Sequence, residues 1–221
     1  RFNGRVMFPW VSVSGKITAF GGRLLDERTK GVAQKYVNSP DSIIYHKERE
    51  LYGIFQSKKA IAKHDLVYMV EGYTDVLSMH QSGIENVVAN SGTALSVYQI
   101  RMLHRFTSNI VLLYDGDAAG QHAAARAIKF IDKTTAAFLC VVLPNNQDPM
   151  EFLAESGADK LRPILDAARP LMDFVFDATT AHFDLSVPGG RVKALEALAS
   201  LLAPLKTSVL LSEYALRVSD L

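Results

Sequence analysis

The sequence predicts an α/β fold. A central parallel sheet flanked by helices is expected, preceded by a basic mixed α/β segment and followed by a helical one. Three observations predict it. Between residues 65 and 157, apolar runs at 66–70, 109–114 and 137–143 alternate with segments of helical pattern; strands that alternate with helices form parallel sheets with right-handed crossovers. Residues 1–64 carry twelve Lys/Arg against five Asp/Glu, a balance of +7, whereas the remainder sums to −6. Beyond residue 158, Leu and Ala recur at helical spacing. The predicted segments are therefore 1–64, 65–157 and 158–221.

Each element has its own signal. Extended patterns at 6–13 and 17–20 flank Ser14-Gly15, a hairpin turn, and Gly21-Gly22 is expected to end the second strand. A short extended piece at 34–37 stops at Asn38-Ser39-Pro40. Residues 51–62 have helical spacing, with Leu51, Ile54, Phe55 and Ile61 as the apolar face. After the run at 66–70, a helix is expected over 74–82 with Val76 and Leu77 inward. Residues 87–89 form a short strand and 90–93 a loop of small residues, and Ser96 is the expected N-cap of a helix reaching Phe106. Helices are expected over 119–131 and over 150–155, the latter ending at Gly157. The last segment holds three or four helices punctuated by Pro163, Pro170, Pro188-Gly189-Gly190 and Pro204. Leu195, Leu198, Leu201, Leu202 and Leu205 are packing residues.

Composition narrows the function. No apolar stretch is long enough to span a bilayer and no signal peptide is visible, so a cytoplasmic protein is expected. A start at Arg1 rather than Met marks a piece of a longer protein. The single cysteine, Cys140, lies in an apolar run and reads as a buried hydrophobe; it excludes an internal disulfide and a cysteine-rich zinc site. The six histidines are scattered, which disfavours a zinc cluster. A basic segment beside an acidic centre suits a polyanion held near carboxylates.

Those carboxylates carry the chemistry. Glu71-Gly72 ends one apolar run, Asp115-Gly116-Asp117 ends the next, and Asp148-Pro149 follows the third. Groups just past the carboxyl ends of parallel strands gather in one crevice. Converging carboxylates repel one another unless a cation sits among them, and oxygen ligands suit Mg²⁺ or Mn²⁺. Asp115 and Asp117, two apart on an extended segment, share one face. Singly, each signal has a plainer reading: Glu-Gly as a turn, Asp117 or Asp148 as a helix cap.

Glu71-Gly72 with Asp75, Ser91-Gly92-Thr93, Asp115-Gly116-Asp117 and Asp148 resemble the Toprim fold shared by topoisomerases, primases and some nucleases. Arg5-Val6-Met7-Phe8-Pro9, Phe20-Gly21-Gly22-Arg23, Lys35-Tyr36-Val37-Asn38-Ser39-Pro40, His46-Lys47 and Leu51-Tyr52-Gly53 resemble the catalytic core of bacterial replicative primases of the DnaG type. The resemblance is dense across 1–157 and thin beyond. It implies an RNA polymerase domain that starts short RNA primers from ribonucleoside triphosphates on single-stranded DNA, at the replication fork in the nucleoid. It implies that Glu71, Asp115, Asp117 and Asp148 hold divalent metals, two of which clamp the attacking hydroxyl, the α-phosphate and the leaving pyrophosphate. Glu71, Asp115 and Asp117 are then catalytic, with Glu71 also a candidate acid/base. Lys35, Tyr36, Asn38 and Lys47, with Gly72 and Asp75, fall at the nucleotide, and Arg5 and Arg23 at DNA. Asp75, one helical turn past Glu71, is expected to buttress a basic residue. The resemblance also implies a zinc-binding domain before this sequence and a domain for the replicative helicase after it.

One departure stands out. Where the family often has a second acid after Asp148, this chain has Met150, with Glu151 next; one residue later on a helix turns a carboxylate about 100° away. A Toprim nuclease or topoisomerase is the alternative with the same metals, although a type I topoisomerase needs a tyrosine nucleophile in a further domain. An aspartyl-phosphate phosphatase is disfavoured by Ala119. A non-catalytic nucleic-acid-binding module is disfavoured by the carboxylates, which add nothing to polyanion binding.

Overall fold

The computed structural model describes residues 2–25, 34–114, 124–131, 133–205 and 208–220. The chain divides into two units, Arg1–Thr107 and Ser108–Leu221.

In the first unit, Gly15 at φ 90° turns the chain between β1 (Arg5–Val11) and β2 (Ile17–Leu24), with Ser12 N–H bonded to Lys16 O at 2.9 Å. β2 does not stop at Gly21-Gly22 as expected. It runs on to Leu24, pairing with Arg5 on one side and, through Gly21–Arg23, with β3 (Tyr36–Asn38) on the other. The glycines are there for close approach rather than for a turn: a Cβ on Gly21 would lie 2.5 Å from the Tyr73 hydroxyl oxygen.

β4 (Val67–Val70) and β5 (Val87–Ala89) are parallel and buried throughout, as strands covered by helices must be. Both α1 (Ile54–His64) and α2 (Tyr73–Gln81) pack on β5. Ile54, Ser57 and Ile61 face inward from α1, while Phe55, expected inside, is 39% exposed; Leu51 is buried ahead of the helix. On α2 the inward stripe is Tyr73, Val76 and Met79. Leu77, one residue off that stripe and therefore about 100° around the helix, points out. Ser96 caps α3 (Val97–Leu103) by accepting from Gln99 N–H at 3.1 Å. The helix ends before Phe106 because the N–H groups of Phe106 and Thr107 both turn back to Leu103 O.

One contact in this layer is titratable. Ser57 Oγ donates to Val87 O at 2.6 Å and therefore accepts from His80 Nε2–H at 3.1 Å. Burial holds His80 below its usual pKa of 6.5. The unfolded chain thus takes up the proton first as pH falls through about 6.5, so this position costs nothing above that pH and stability is lost below it. Thermal melts of the wild type and of His80→Gln across pH 8 to 5 are expected to diverge below about 6.5, the wild type falling faster. Parallel curves would exclude His80 as the titrating group.

In the second unit, β6 (Asn109–Tyr114) and β7 (Ala137–Val142) are parallel, paired Asn109↔Ala137 through Tyr114↔Val142. With β4 and β5, these strands and their flanking helices make the α/β class that the alternation predicts. Of the helix expected over 119–131, residues 119–123 lie outside the described residues. Residues 124–127 are helical and run into a 3₁₀ turn, Ile128–Phe130. Cys140 is buried in β7, and burial pushes its thiol up to about 12. A two-residue strand, β8 (Arg169–Pro170), adds antiparallel to β7. A pair containing proline carries no strand signal, and proline is tolerated there only because the strand is an edge.

The helices α4 (Pro149–Ser156), α5 (Ala158–Asp166), α6 (Leu171–Thr180), α7 (Pro188–Leu202) and α8 (Val209–Ser219) complete this unit. Pro163 does not break a helix but sits inside α5 on an exposed face. Pro188 and the two glycines start α7, proline being suited to a first turn. Leu198, Leu202 and Leu205 are buried as expected; Leu195 is 38% exposed. Asp173 accepts from Tyr214 OH at 2.7 Å and from Arg217 Nη1 at 2.5 Å, tying α8 to α6, and the Arg217 guanidinium lies 4.4 Å from the Phe176 ring centre. Among the described residues, no helix is long and apolar enough to cross a membrane.

Candidate functional site

Two loops leave the carboxyl ends of the parallel strands β4 and β5. Glu71-Gly72 follows Val70, and Asn90–Gly92 follows Ala89. They are joined by the backbone: Ser91 N–H donates to Glu71 O at 3.1 Å. Ser91 (φ 47°) and Gly92 (φ 85°) are both left-handed, which folds this loop back on itself. Glu71 is half-buried at the mouth. Asp75 is buried, and its Oδ2 accepts Gly72 N–H at 2.9 Å. That carboxylate therefore closes the first turn of α2, where it also favours the helix dipole.

Asn38, the last residue of β3, reaches the same place. Its Nδ2 donates to Ser91 O at 3.0 Å, and its Oδ1 accepts from the Tyr73 hydroxyl. Trp10 Nε1 donates to that hydroxyl at 3.1 Å. Tyr73 stacks on Phe8 at 5.0 Å between centroids and meets the edges of Tyr52 and Trp10. Tyr73 is absent from the residues the sequence singles out. Its trace in the sequence is Gly21, which makes room for it.

The cations sort into different uses. Lys35 Nζ and the Arg23 guanidinium lie 5.9 and 5.8 Å from the centre of the Tyr36 ring, so the ring carries two positive groups at one spot. Arg5 is engaged otherwise. Its Nη1 donates to Gly22 O and Lys35 O at 3.2 and 3.0 Å, and its Nη2 to Gln34 O at 2.6 Å. Its fork thereby holds β2 to the segment leading into β3. Lys47 is half-buried and opens a 3₁₀ turn; its N–H donates to Asp41 Oδ1 at 3.1 Å. The turn is held from α3, where the buried Gln99 Nε2 donates to Glu50 O at 2.9 Å and Ser96 Oγ bonds Glu48 O. The sequence marks Ser96 only as a cap and does not single out Gln99.

In the second unit, Asp148 caps α4: its Oδ1 accepts Glu151 N–H at 2.7 Å, and Glu151 Oε2 returns to Asp148 N–H at 3.4 Å. Glu151 is thus turned back onto the helix start. The cap engages Oδ1 of Asp148, and a carboxylate accepts through both oxygens. Asp115 and Asp117 lie outside the described residues. Glu71 and Asp148 each offer carboxylate oxygens, the donor type that suits Mg²⁺ or Mn²⁺. Among the described residues alone, no group of three ligating side chains comes together.

Three family models match the chain in order. They are the DNA primase catalytic core N-terminal domain over residues 1–59, a Toprim-like model over 68–153, and the DnaB-helicase binding domain of primase over 172–221. The last falls on α6–α8, within the sequence rather than beyond it as expected. A DNA primase of Streptomyces coelicolor is 36% identical over 226 residues, covering 100% of this chain and 35% of that protein. The chain thus spans about a third of the length of this curated relative. Among solved structures, the RNA polymerase domain of Mycobacterium tuberculosis primase DnaG superposes with a TM-score of 0.87 at 32% identity, covering 100% of this chain and 72% of that one. A DnaG primase catalytic domain bound to ssDNA gives 0.81 at 31% identity, covering 99% and 70%.

Proposed function

We infer function from membership: this chain belongs to the DnaG-type DNA primase family, in the part that forms the RNA polymerase core. We propose that it is the catalytic core of a primase that makes short RNA primers from ribonucleoside triphosphates on single-stranded DNA at the replication fork. The observation that carries this reading is the meeting of Glu71, at the end of a parallel strand, with the segment that bears Lys35, Tyr36 and Asn38.

Glu71, Asp115, Asp117 and Asp148 would hold two divalent cations. A Mg²⁺ or Mn²⁺ ion held there would supply positive charge for the phosphoryl oxygens and would lower the pKa of the attacking hydroxyl. The rest is positioning by the chain. Lys35, with Lys47, offers point charges to a triphosphate, Arg23 offers a fork, and Tyr36 offers a ring face on which a base stacks. Arg5, expected at DNA, also fixes the strand that carries these groups. Asp75 serves by shaping the Gly72 turn, whose small residue lets a phosphate approach the backbone. The helices from 158 onward support the core and bring no catalytic side chain, and α6–α8 are the part that meets the replicative helicase. Arg169, an exposed cation of β8, is already paired with Asp177 at 2.5 Å.

The assay is template-dependent incorporation of ribonucleotides with Mg²⁺ or Mn²⁺. Lys35→Ala and Lys47→Ala are each expected to raise nucleotide KM about 10-fold, one lost charge-assisted contact. Unchanged nucleotide affinity in both variants would remove this segment from the site.

A further inference from the structure

We infer that Tyr73 is a positioning residue for nucleotide: through Asn38, it holds the segment 35–40 in register with the Glu71 loop. The inference rests on the proposed reading of that segment as the nucleotide motif.

The geometry is a closed circuit. Glu71 and Tyr73 are separated in the chain by Gly72 alone. From Tyr73 the hydroxyl bonds Asn38, Asn38 bonds Ser91 O, and Ser91 N–H bonds back to Glu71 O. Two segments far apart in sequence, at Asn38 and Ser91, are locked to the residue expected to ligate metal. The direction of each bond is determined by its partners. An indole nitrogen only donates, so the Tyr73 oxygen accepts from Trp10 and its own proton goes to Asn38 Oδ1. The Asn38 amide then has its nitrogen toward the Ser91 carbonyl, which accepts. Each end of that amide bonds inside the protein, so Asn38 also serves the nucleotide by placing Lys35 and Tyr36.

The hydroxyl has no packing justification. Tyr73 is 2% exposed and its ring is framed by Phe8, Trp10 and Tyr52. A phenyl ring would fill this space but would take this partner from the Trp10 N–H and from Asn38 Oδ1, and an interior hydroxyl is itself costly unless bonded. What the hydroxyl adds is the link from the aromatic cluster to Asn38.

The test is Mn²⁺-ATP binding, measured by calorimetry on this chain, in Tyr73→Phe, Asn38→Ala and the double variant, with far-UV circular dichroism and melting recorded for each. Tyr73→Phe is expected to bind about 10-fold more weakly, the loss of one buried hydrogen bond. The double variant is expected to bind no more weakly than Asn38→Ala alone, since both substitutions break one chain of contacts. Trp10→Phe strips the donor from the other side of the same hydroxyl and leaves the bond to Asn38, so its affinity should stay within about 2-fold of wild type. Wild-type affinity in Tyr73→Phe, additive losses in the double variant, or a loss in Trp10→Phe equal to that in Tyr73→Phe would each overturn the assignment. Unchanged affinity in Asn38→Ala is a separate result: it would overturn the nucleotide reading of segment 35–40, and the inference with it.

Discussion

Glu71→Gln is expected to lower primer synthesis by about 10²–10³-fold while leaving the protein folded, in line with the loss of one charged group that stabilises a phosphoryl-transfer transition state. The substitution keeps the size of the side chain at a half-buried loop position, so packing changes little, whereas a neutral amide ligates a divalent cation far more weakly than a carboxylate does. Asp115→Ala and Asp117→Ala are expected to act the same way, as members of the same set. The measurement is ribonucleotide incorporation on a single-stranded template in the full-length protein, at saturating nucleotide and with melting curves alongside. Wild-type turnover in Glu71→Gln would remove it from the metal-binding set and leave the two aspartates to carry it.

Gly21→Ala is expected to destabilise the first unit by about 3 kcal/mol, the upper end of what overpacking costs. The added Cβ would stand 2.5 Å from the Tyr73 hydroxyl oxygen and 2.6 and 2.7 Å from two ring carbons. The ring has nowhere to withdraw, because Phe8 stacks on one face and Tyr52 and Trp10 close its edges. Displacing it also breaks the bonds from Trp10 and to Asn38, leaving interior polar atoms unpaired. For a chain of this length, a loss of that size lowers the melting temperature by roughly 6–12 °C. A melting temperature within about 2 °C of wild type would show that the aromatic cluster yields, and that Gly21 has some other cause.

Sequence and structure part company where side chains with identical local signals meet different neighbours. Arg5 and Arg23 look alike as basic residues beside apolar strands. Their register puts Arg5 against three carbonyls and Arg23 beside the Tyr36 ring. Asp75 and Asp148 both read as acids near a strand end, and in the fold each accepts an N–H in the first turn of a helix. Leu77 and Phe55 fall on the exposed side of helices whose inward stripes are set by Tyr73 and Ile54. One residue of phase error is enough to reverse such a prediction, because each step on a helix is 100°.

The sequence by itself determines the strands of the parallel core, the helices that follow them and the carboxylates at their ends. These depend on local apolar runs, periodicity and capping residues such as Ser96, whose energetics are settled within a few neighbours. Tertiary structure alone decides that β2 continues through Gly21-Gly22, that Arg169–Pro170 becomes an edge strand, and that Tyr73 links Trp10 to Asn38. Those features are made by groups dozens of residues apart, whose bonds form only after the chain has brought buried donors and acceptors together and water has been excluded from between them.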